Sequence, residues 1–343
     1  MLYQFARQNR EDLARLTTNT SQLAGIRRSV LEDGRERGLR IADINNGSGL
    51  QFTVLIDRGL DIGQASFRGV PIAYLSPTGF AHPAYYDPNG LGWLRSWGAG
   101  LLSTCGLRNV GAPDHFAGEN HGLHGRITNS PAENCACSAA WVGSKYVMTV
   151  AGSVREARLF GENLLLSRKI SSIMGENTIT IEDTVENQGC RASHLTLLYH
   201  INLGYPLLSP DSIIKCREHK LEPRDETAAK GLDSWSKCQD PTPGYQEQCF
   251  YHDMPADPDG FTRISMLNPG LRMNLELCYR KRELPFFVQW KQMGSGEYVM
   301  GFEPANCHVE GVNKERQKFG TLQELQPGES ISTLLHLKAS FIN

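Results

Sequence analysis

The sequence predicts an all-β protein, a single large sandwich of many mostly antiparallel strands with a few short helices. Three observations predict it. Apolar and polar residues alternate with period two in segment after segment, the pattern of strands that bury one face. Gly, Asn and Pro punctuate those segments, as turns require. Only one stretch, near the start, carries helical signals.

That helix is "REDLARL". Asn9 stands where a cap is needed, and Glu11 and Asp12 favour a helix N-terminus. Residues 1–34 read as an N-terminal extension around it, and the sandwich is expected over residues 35–341. "GLRIADI", "QFTVLID", "LDIGQASF" and "VPIAYL" then follow one another as a meander.

From Ser76 to Arg126 the alternation stops. This stretch is rich in Gly, Pro, His and Trp. Loops longer than roughly 15 residues in a compact domain tend to be functional or disordered. Phe80, Tyr85, Tyr86, Trp93 and Trp97 argue against disorder, so an ordered loop over a site is expected.

Strands resume after Pro131. "NTITIEDTVEN" puts Ile179, Ile181 and Val185 on one face. "RMNLELCY" alternates Met273, Leu275, Leu277 and Tyr279, and "ISTLLHLKASF" does the same from Ile331 to Phe341. Residues 209–260 are looser and charged, and read as excursions from the sheets. No repeat and no internal domain boundary is evident.

Composition narrows the function. Of 343 residues, 40% are apolar and 21% charged, with a formal net charge of −2. That balance lacks the basic face a nucleic-acid binder needs. No apolar run is long enough for a membrane span. Nine cysteines, without a CxxC pair, read as reduced thiols in a cytoplasm rather than a disulfide scaffold. The start of the chain lacks an apolar signal core. A phosphate loop, a dinucleotide fingerprint and G-x-S-x-G are all missing, and Cys105 has no identifiable base beside it.

Four constellations carry the candidate chemistry. "ENHGLHGRI" sets His121 and His124 three apart with Arg126 close behind. The spacing suits a metal if Glu303 or His308 supplied a third ligand. It equally suits contacts to an oxygen-rich ligand, for which the Arg126 donor fork is fitted, or plain packing. "LTLLYHINLGYPLL" brings His200 out of an apolar strand, as a core residue or a general acid. "YVMGFEP" ends a buried strand on Glu303, a carboxylate that burial would push toward the range of a general base. "CGLRNVG" places Arg108 beside Asn109, and "LIDRGLDIG" puts Arg58 between Asp57 and Asp61, where local ion pairs are the simple reading.

Taken in order, these pieces resemble the aldose 1-epimerase, or galactose mutarotase-like, superfamily. The matching elements are Arg108-Asn109, His124-Gly125, His200 in "YHINLGYP" and Glu303 in "GFEPANC", with "ITIEDTVENQG" as a further likeness. "DRGLDIG" and "LHGR" look closest to a branch described only as a domain of unknown function. Two departures stand out: the pair reads Arg-Asn where mutarotases have Asn-Arg, and Tyr199 replaces the usual Asn. The family's sugar-binding aspartate has no clear counterpart; Asp240, Glu247 and Asp253 all fall in the loose region.

The resemblance implies a galactose mutarotase-like β-supersandwich that binds a small carbohydrate and interconverts its anomers. It implies Glu303 as base and His200 as acid. His124, Arg108, Arg126, Arg58, Asn109, His121 and Asn202 would contact the sugar, and Trp97 and Trp93 would stack on it. No metal or organic cofactor is implied, no nucleic-acid or membrane partner is expected, and the chain would be a monomer or homodimer. A sugar-binding protein without catalysis, or a metal-dependent isomerase or lyase, are the alternatives.

Overall fold

The computed structural model describes residues 9–342. Two large sheets face each other. The first opens with a meander of Gly25–Val30, Arg40–Asn45, Leu50–Leu55 and Asp61–Phe67. It continues through Leu102–Leu107, Ser193–Gly204, Glu297–Ala305, Phe286–Gly294, Gln248–Asp253 and Lys220–Pro223. The second holds eight strands, and its middle is Ser330–Phe341 between Met273–Arg280 and Thr178–Asn187. Every paired strand in both sheets is antiparallel, as the alternation predicts.

The core lies between the sheets. Ile179, Ile181, Val185, Met273, Leu275, Leu277 and Tyr279 all enter it, as do Leu335, Leu337 and Ala339. The residues of these strands that alternate with them are more exposed, so the period-two reading sets the right face inward. Phe341, at the strand end, stays half exposed. The N-terminal helix forms over Arg10–Leu16 with the Asn9 side chain accepting from the Asp12 amide.

Two expectations change. The first sheet reaches into the segment read as an extension: Gly25–Val30 pairs along its full length with Arg40–Asn45. "GIRRSV" hides this because an edge strand buries little on either side. The loose region 209–260 also contributes to the sheets. Lys220–Pro223 and Gln248–Asp253 join the first, and Ile213–Cys216 joins the second. Pro223 is tolerated because that strand lies at the edge.

A buried polar network ties the sheets together. Arg168, from the second sheet, donates to Asp183 at 2.6 Å and Asp61 at 2.9 Å. The Tyr199 hydroxyl donates to Asp183 at 2.6 Å, and Thr104 and Thr128 donate to Asp61. The expected local pairing around Arg58 does not form. Asp57 accepts from Arg40, while Arg58 turns inward to the carbonyls of Ala81 and Ser96. Among the described residues, no helix is long and apolar enough to cross a membrane.

The middle of the first sheet is buried on both sides. In Ser193–Gly204 every residue is buried. Leu197, Tyr199, Ile201 and Leu203 face the second sheet. The alternate residues, Leu198 and His200 among them, face the other way, under the 76–126 loop. Trp93, Trp97, Cys105, Leu198, Cys249 and Val288 form a separate apolar cluster there. The stretch read as one loop is not all loop: Leu102–Leu107 is a strand of the first sheet, buried throughout and so without alternation, and Asp114–Phe116 pairs with Glu119–His121. The segments on either side of that strand carry Trp93, Trp97, Leu123 and His124 over the site-bearing face.

Candidate active site

Three neighbouring strands build the floor of a cavity of about 540 Å3 beneath that loop. Leu198 pairs with Ala305 and Ile201 with Phe302, so the register sets His200 opposite Glu303. Both side chains leave the sheet on the loop side and meet as a cross-strand pair. His200 Nε2 stands 3.1 Å from Glu303 Oε1, and both groups are buried. Glycine at position 301 makes the room. A Cβ there would collide with Glu303 Oε1 and crowd Trp290 and His200.

The walls come from the loop and the next strands. Trp93 stacks on Trp97 with ring centroids 5.0 Å apart. Trp97 is 5.5 Å from His200 and 5.8 Å from Trp290. Its indole N–H donates to the Ser103 hydroxyl at 2.9 Å, which fixes the ring. His124 lies 4.7 Å from Trp93 and 5.8 Å from His200. It is held at φ 56°, a left-handed conformation uncommon for a side chain larger than glycine, and such positions cluster at functional sites. Its Nδ1 accepts from the Gly111 amide at 3.3 Å.

Burial sets the protonation of these groups. It pushes His200 down to about 3, with His124 adding to the effect, and His124 down to about 4. Burial also holds the Glu303 carboxyl well above its usual range, with the Glu247 charge adding and Arg224 opposing. Both histidines are therefore neutral at pH 7, and burial favours the protonated form of the Glu303 carboxyl. Trp93 Nε1 is buried and has no hydrogen-bond partner in the protein, while Glu303 Oε1 has the His200 Nε2 contact and the His200 ring has the Asn202 side chain beside it. A buried polar atom is rarely left so, and Trp93 Nε1 beside this cavity suits a polar ligand.

Of the ten residues singled out by sequence, the structure gathers four at this cavity: His124, His200, Glu303 and Trp97. Trp93 joins them. The others do not line it. Arg108 donates to the Ser193 hydroxyl and the His194 carbonyl, near the start of the strand that carries His200. His194 is six residues from His200 on the same face, about 20 Å along the strand. His121 faces His194, with rings 6.1 Å apart, and Arg126 lies 3.7 Å from Glu119. These residues form a second polar cluster with Glu156 and Glu162. His121 and His124 thus point to different neighbours, and the H-x-x-H spacing gathers no donor set. Among the described residues, no group of three or more His, Cys, Asp or Glu is placed to hold a metal ion.

The remaining three are committed to backbone. Arg58 spends its guanidinium on loop carbonyls, and burial lowers it to about 10. Asn109 is fully buried. Its amide donates to the carbonyls of Ala112 and Gly122, and its oxygen accepts from the Val312 amide. Asn202 donates to the carbonyls of Gly100 and His200.

Sequence reasoning missed Trp290, Arg224, Asp225, Glu310 and Lys314, which all line the cavity, and it named Glu247, which also lines it, only as one of three unplaced acidic residues. Trp290 Nε1 donates to Glu247 at 2.8 Å, and Arg224 pairs with Glu247 and Asp225. The short apolar run Cys249–Tyr251 in "QCFYHD" was the available signal, since it makes the preceding Glu247 a strand-end residue. A larger, shallower groove of about 860 Å3 lies on the outer face of the first strands, with Arg27, Asp43, Gln51 and Gln64. Those four side chains are exposed, and none of the residues lining the groove has a buried unpartnered atom. It reads as a solvated sheet face.

The fold has close counterparts among solved structures. A "putative aldose 1-epimerase" from Klebsiella pneumoniae subsp. pneumoniae MGH 78578 superposes with a TM-score of 0.86 at 24% identity, covering 94% of this chain and 86% of that one. A galactose mutarotase-like protein from Clostridium acetobutylicum gives 0.66 at 13% identity, over 94% of this chain and 100% of that one. Galactose 1-epimerase from Lactobacillus acidophilus NCFM gives 0.59 at 14% identity, over 93% and 100%. The fold is therefore galactose mutarotase-like. No curated protein matches the chain. Over residues 36–339 the sequence matches the model of a family described as a domain of unknown function, DUF4432, and the chain belongs to that family.

Proposed function

We propose that the protein is a carbohydrate isomerase that interconverts the anomers of a sugar, with Glu303 and His200 as its acid–base pair. The observation that carries this reading is the pair itself. Two buried groups of different type stand 3.1 Å apart on a cavity floor walled by three tryptophans.

The chemistry follows from the proton count. Ring opening removes the proton from the C1 hydroxyl, breaks the bond from C1 to the ring oxygen, and adds a proton to that oxygen. One group must accept while the other donates, and the pair holds one exchangeable proton between them. In the empty cavity the proton stays on Glu303. Sugar hydroxyls entering the cavity favour the carboxylate, and the proton crosses to His200 Nε2. Glu303 then takes the C1 proton, and His200 delivers one to the ring oxygen. Rotation about C1–C2 and reclosure reverse both transfers. His124 and Glu247 are placed to hold ring hydroxyls, and the tryptophans to stack on a sugar face.

The test is saturation-transfer NMR on a panel of free aldoses and ketoses, with and without protein. Faster anomer exchange is expected for at least one sugar. In Glu303→Gln it should fall by 100-fold or more while binding persists. Binding without acceleration in the native protein would replace the reading with a sugar-binding protein, and unchanged exchange in Glu303→Gln would remove that residue from the mechanism.

A further inference from the structure

The cavity side chains also say which kind of sugar fits. Its cations are already neutralised. Arg224 lies 2.9 Å from Asp225 and 3.2 Å from Glu247. Lys314 lies 3.1 Å from Glu310, which also takes Lys318 at 3.0 Å. Against Arg224 and Lys314 stand four carboxyl groups: Asp225, Glu247, Glu303 and Glu310. A phosphate or carboxylate entering here would find no unpaired cation and several groups of its own sign. The arginines that would have welcomed such a group, Arg58, Arg108 and Arg126, lie outside the cavity.

One wall, moreover, is largely apolar, its polar side-chain atom being the Trp93 indole nitrogen. The Gly92–Arg95 turn carries Trp93 inward and presents Leu94 at the mouth, with Leu91 just before it. Leu91 is 60% exposed and Leu94 48%, although both border the cavity. Leu123 extends the same surface. A hydroxyl pressed against it would lose water and gain no partner. An alkyl group would gain by burying apolar area on both sides.

We propose that the cavity takes an uncharged sugar bearing an apolar substituent, the simplest being a 6-deoxyhexose. The methyl group lies against Leu91, Leu94 and Leu123, and the ring hydroxyls meet the ionisable groups opposite. For its catalytic readout this rests on the isomerase reading; for binding it does not.

Matched pairs that differ only at C6 test it: L-fucose against L-galactose, L-rhamnose against L-mannose, and 6-deoxy-D-glucose against D-glucose. D-glucose 6-phosphate and D-glucuronate serve as charged probes. Affinity is read by calorimetry and anomer exchange by NMR, on the full chain. In at least one pair the deoxy sugar should bind about tenfold tighter than its parent, the scale of discrimination a small apolar contact gives. The charged sugars should bind more weakly than D-glucose. In the Leu91→Ser, Leu94→Ser double variant the preference ratio should fall toward one. Both leucines are exposed, so folding is retained, as a thermal melt will verify. Parent hexoses binding as well as their deoxy partners, tighter binding of a charged sugar, or an unchanged ratio in the variant would each overturn the proposal. So would the absence of binding by any sugar. Deoxy preference without faster anomer exchange would uphold it and sink the isomerase reading; exchange without the preference would do the reverse.

Discussion

At position 301 a single hydrogen atom decides whether the His200–Glu303 pair fits. A methyl group there would strike Glu303 Oε1 and press on Trp290 and His200. Displacing the carboxyl by about 1 Å should cost roughly 100-fold in turnover, the usual scale for such misplacement. Gly301→Ala is therefore expected to keep its circular dichroism spectrum and lose most anomer exchange; near-native exchange would show the pair has slack. Glu156 gives a second residue-level test. Burial raises its carboxyl to about 7 from 4.5, against the pull of the Leu107 amide that donates to it. The folded state binds a proton that the unfolded state releases, so this contribution is present below pH 4.5 and is lost as pH rises to about 7. Glu156→Gln keeps the shape without the titration. Its melting temperature should exceed that of the native protein at pH 8 and approach it at pH 4.5. His200 and Glu303 were legible in the sequence because a polar group emerging from an apolar strand is costly. Glu247 and Arg224 were not, because exposed or half-exposed charges in a polar stretch look like solvated surface.

Among the elements, the 76–126 loop has the most to hold in place. Its order was legible from its aromatics, but its fastening was not. Asn109 looked like a hydroxyl-binding residue next to Arg108, yet its side chain joins three backbone segments. Two of these, at Ala112 and at Gly122 beside Leu123 and His124, are part of the cavity rim. Asn109→Ala leaves buried groups unpaired, at about 1–3 kcal/mol each. Urea unfolding should show a loss of a few kcal/mol, and KM should rise more than kcat falls. A variant with native stability and KM would show that the loop is fastened elsewhere. Local spacing carries no sign of contacts between residues 109 and 312, which is why the sequence misassigned this residue.

Across the whole molecule, the sandwich was legible because alternation reports burial directly. What joins the two sheets was not, since Asp61 lies 107 residues from Arg168, although Arg168 and Asp183 face each other on consecutive strands. Removing the arginine alone, as in Arg168→Met, leaves two buried aspartates without their counter-charge. A loss of about 3–5 kcal/mol is expected in denaturant unfolding; a loss under 1 kcal/mol would mean that the aspartates find other partners. Acid tests the molecule as a unit. Burial lowers His124 to about 4 and His194, His200 and His252 to about 3, against 6.5 for a free side chain. The unfolded chain takes up these protons first, so stability holds above pH 6.5 and falls below it. Each histidine contributes roughly 1.4 kcal/mol per pH unit, partly offset by Glu156 and Glu303, whose shifts have the opposite sign. The melting temperature should drop between pH 6.5 and 4.5, and a flat profile would contradict this.

The alternation in Ser193–Gly204 separates two jobs along one strand. Odd positions from 195 to 203 are answerable to the second sheet, and even positions to the cavity and its loop. The two sets share a backbone but point to opposite sides of the sheet. What the cavity holds can therefore change through even-numbered substitutions and loop exchanges while the sandwich keeps its shape.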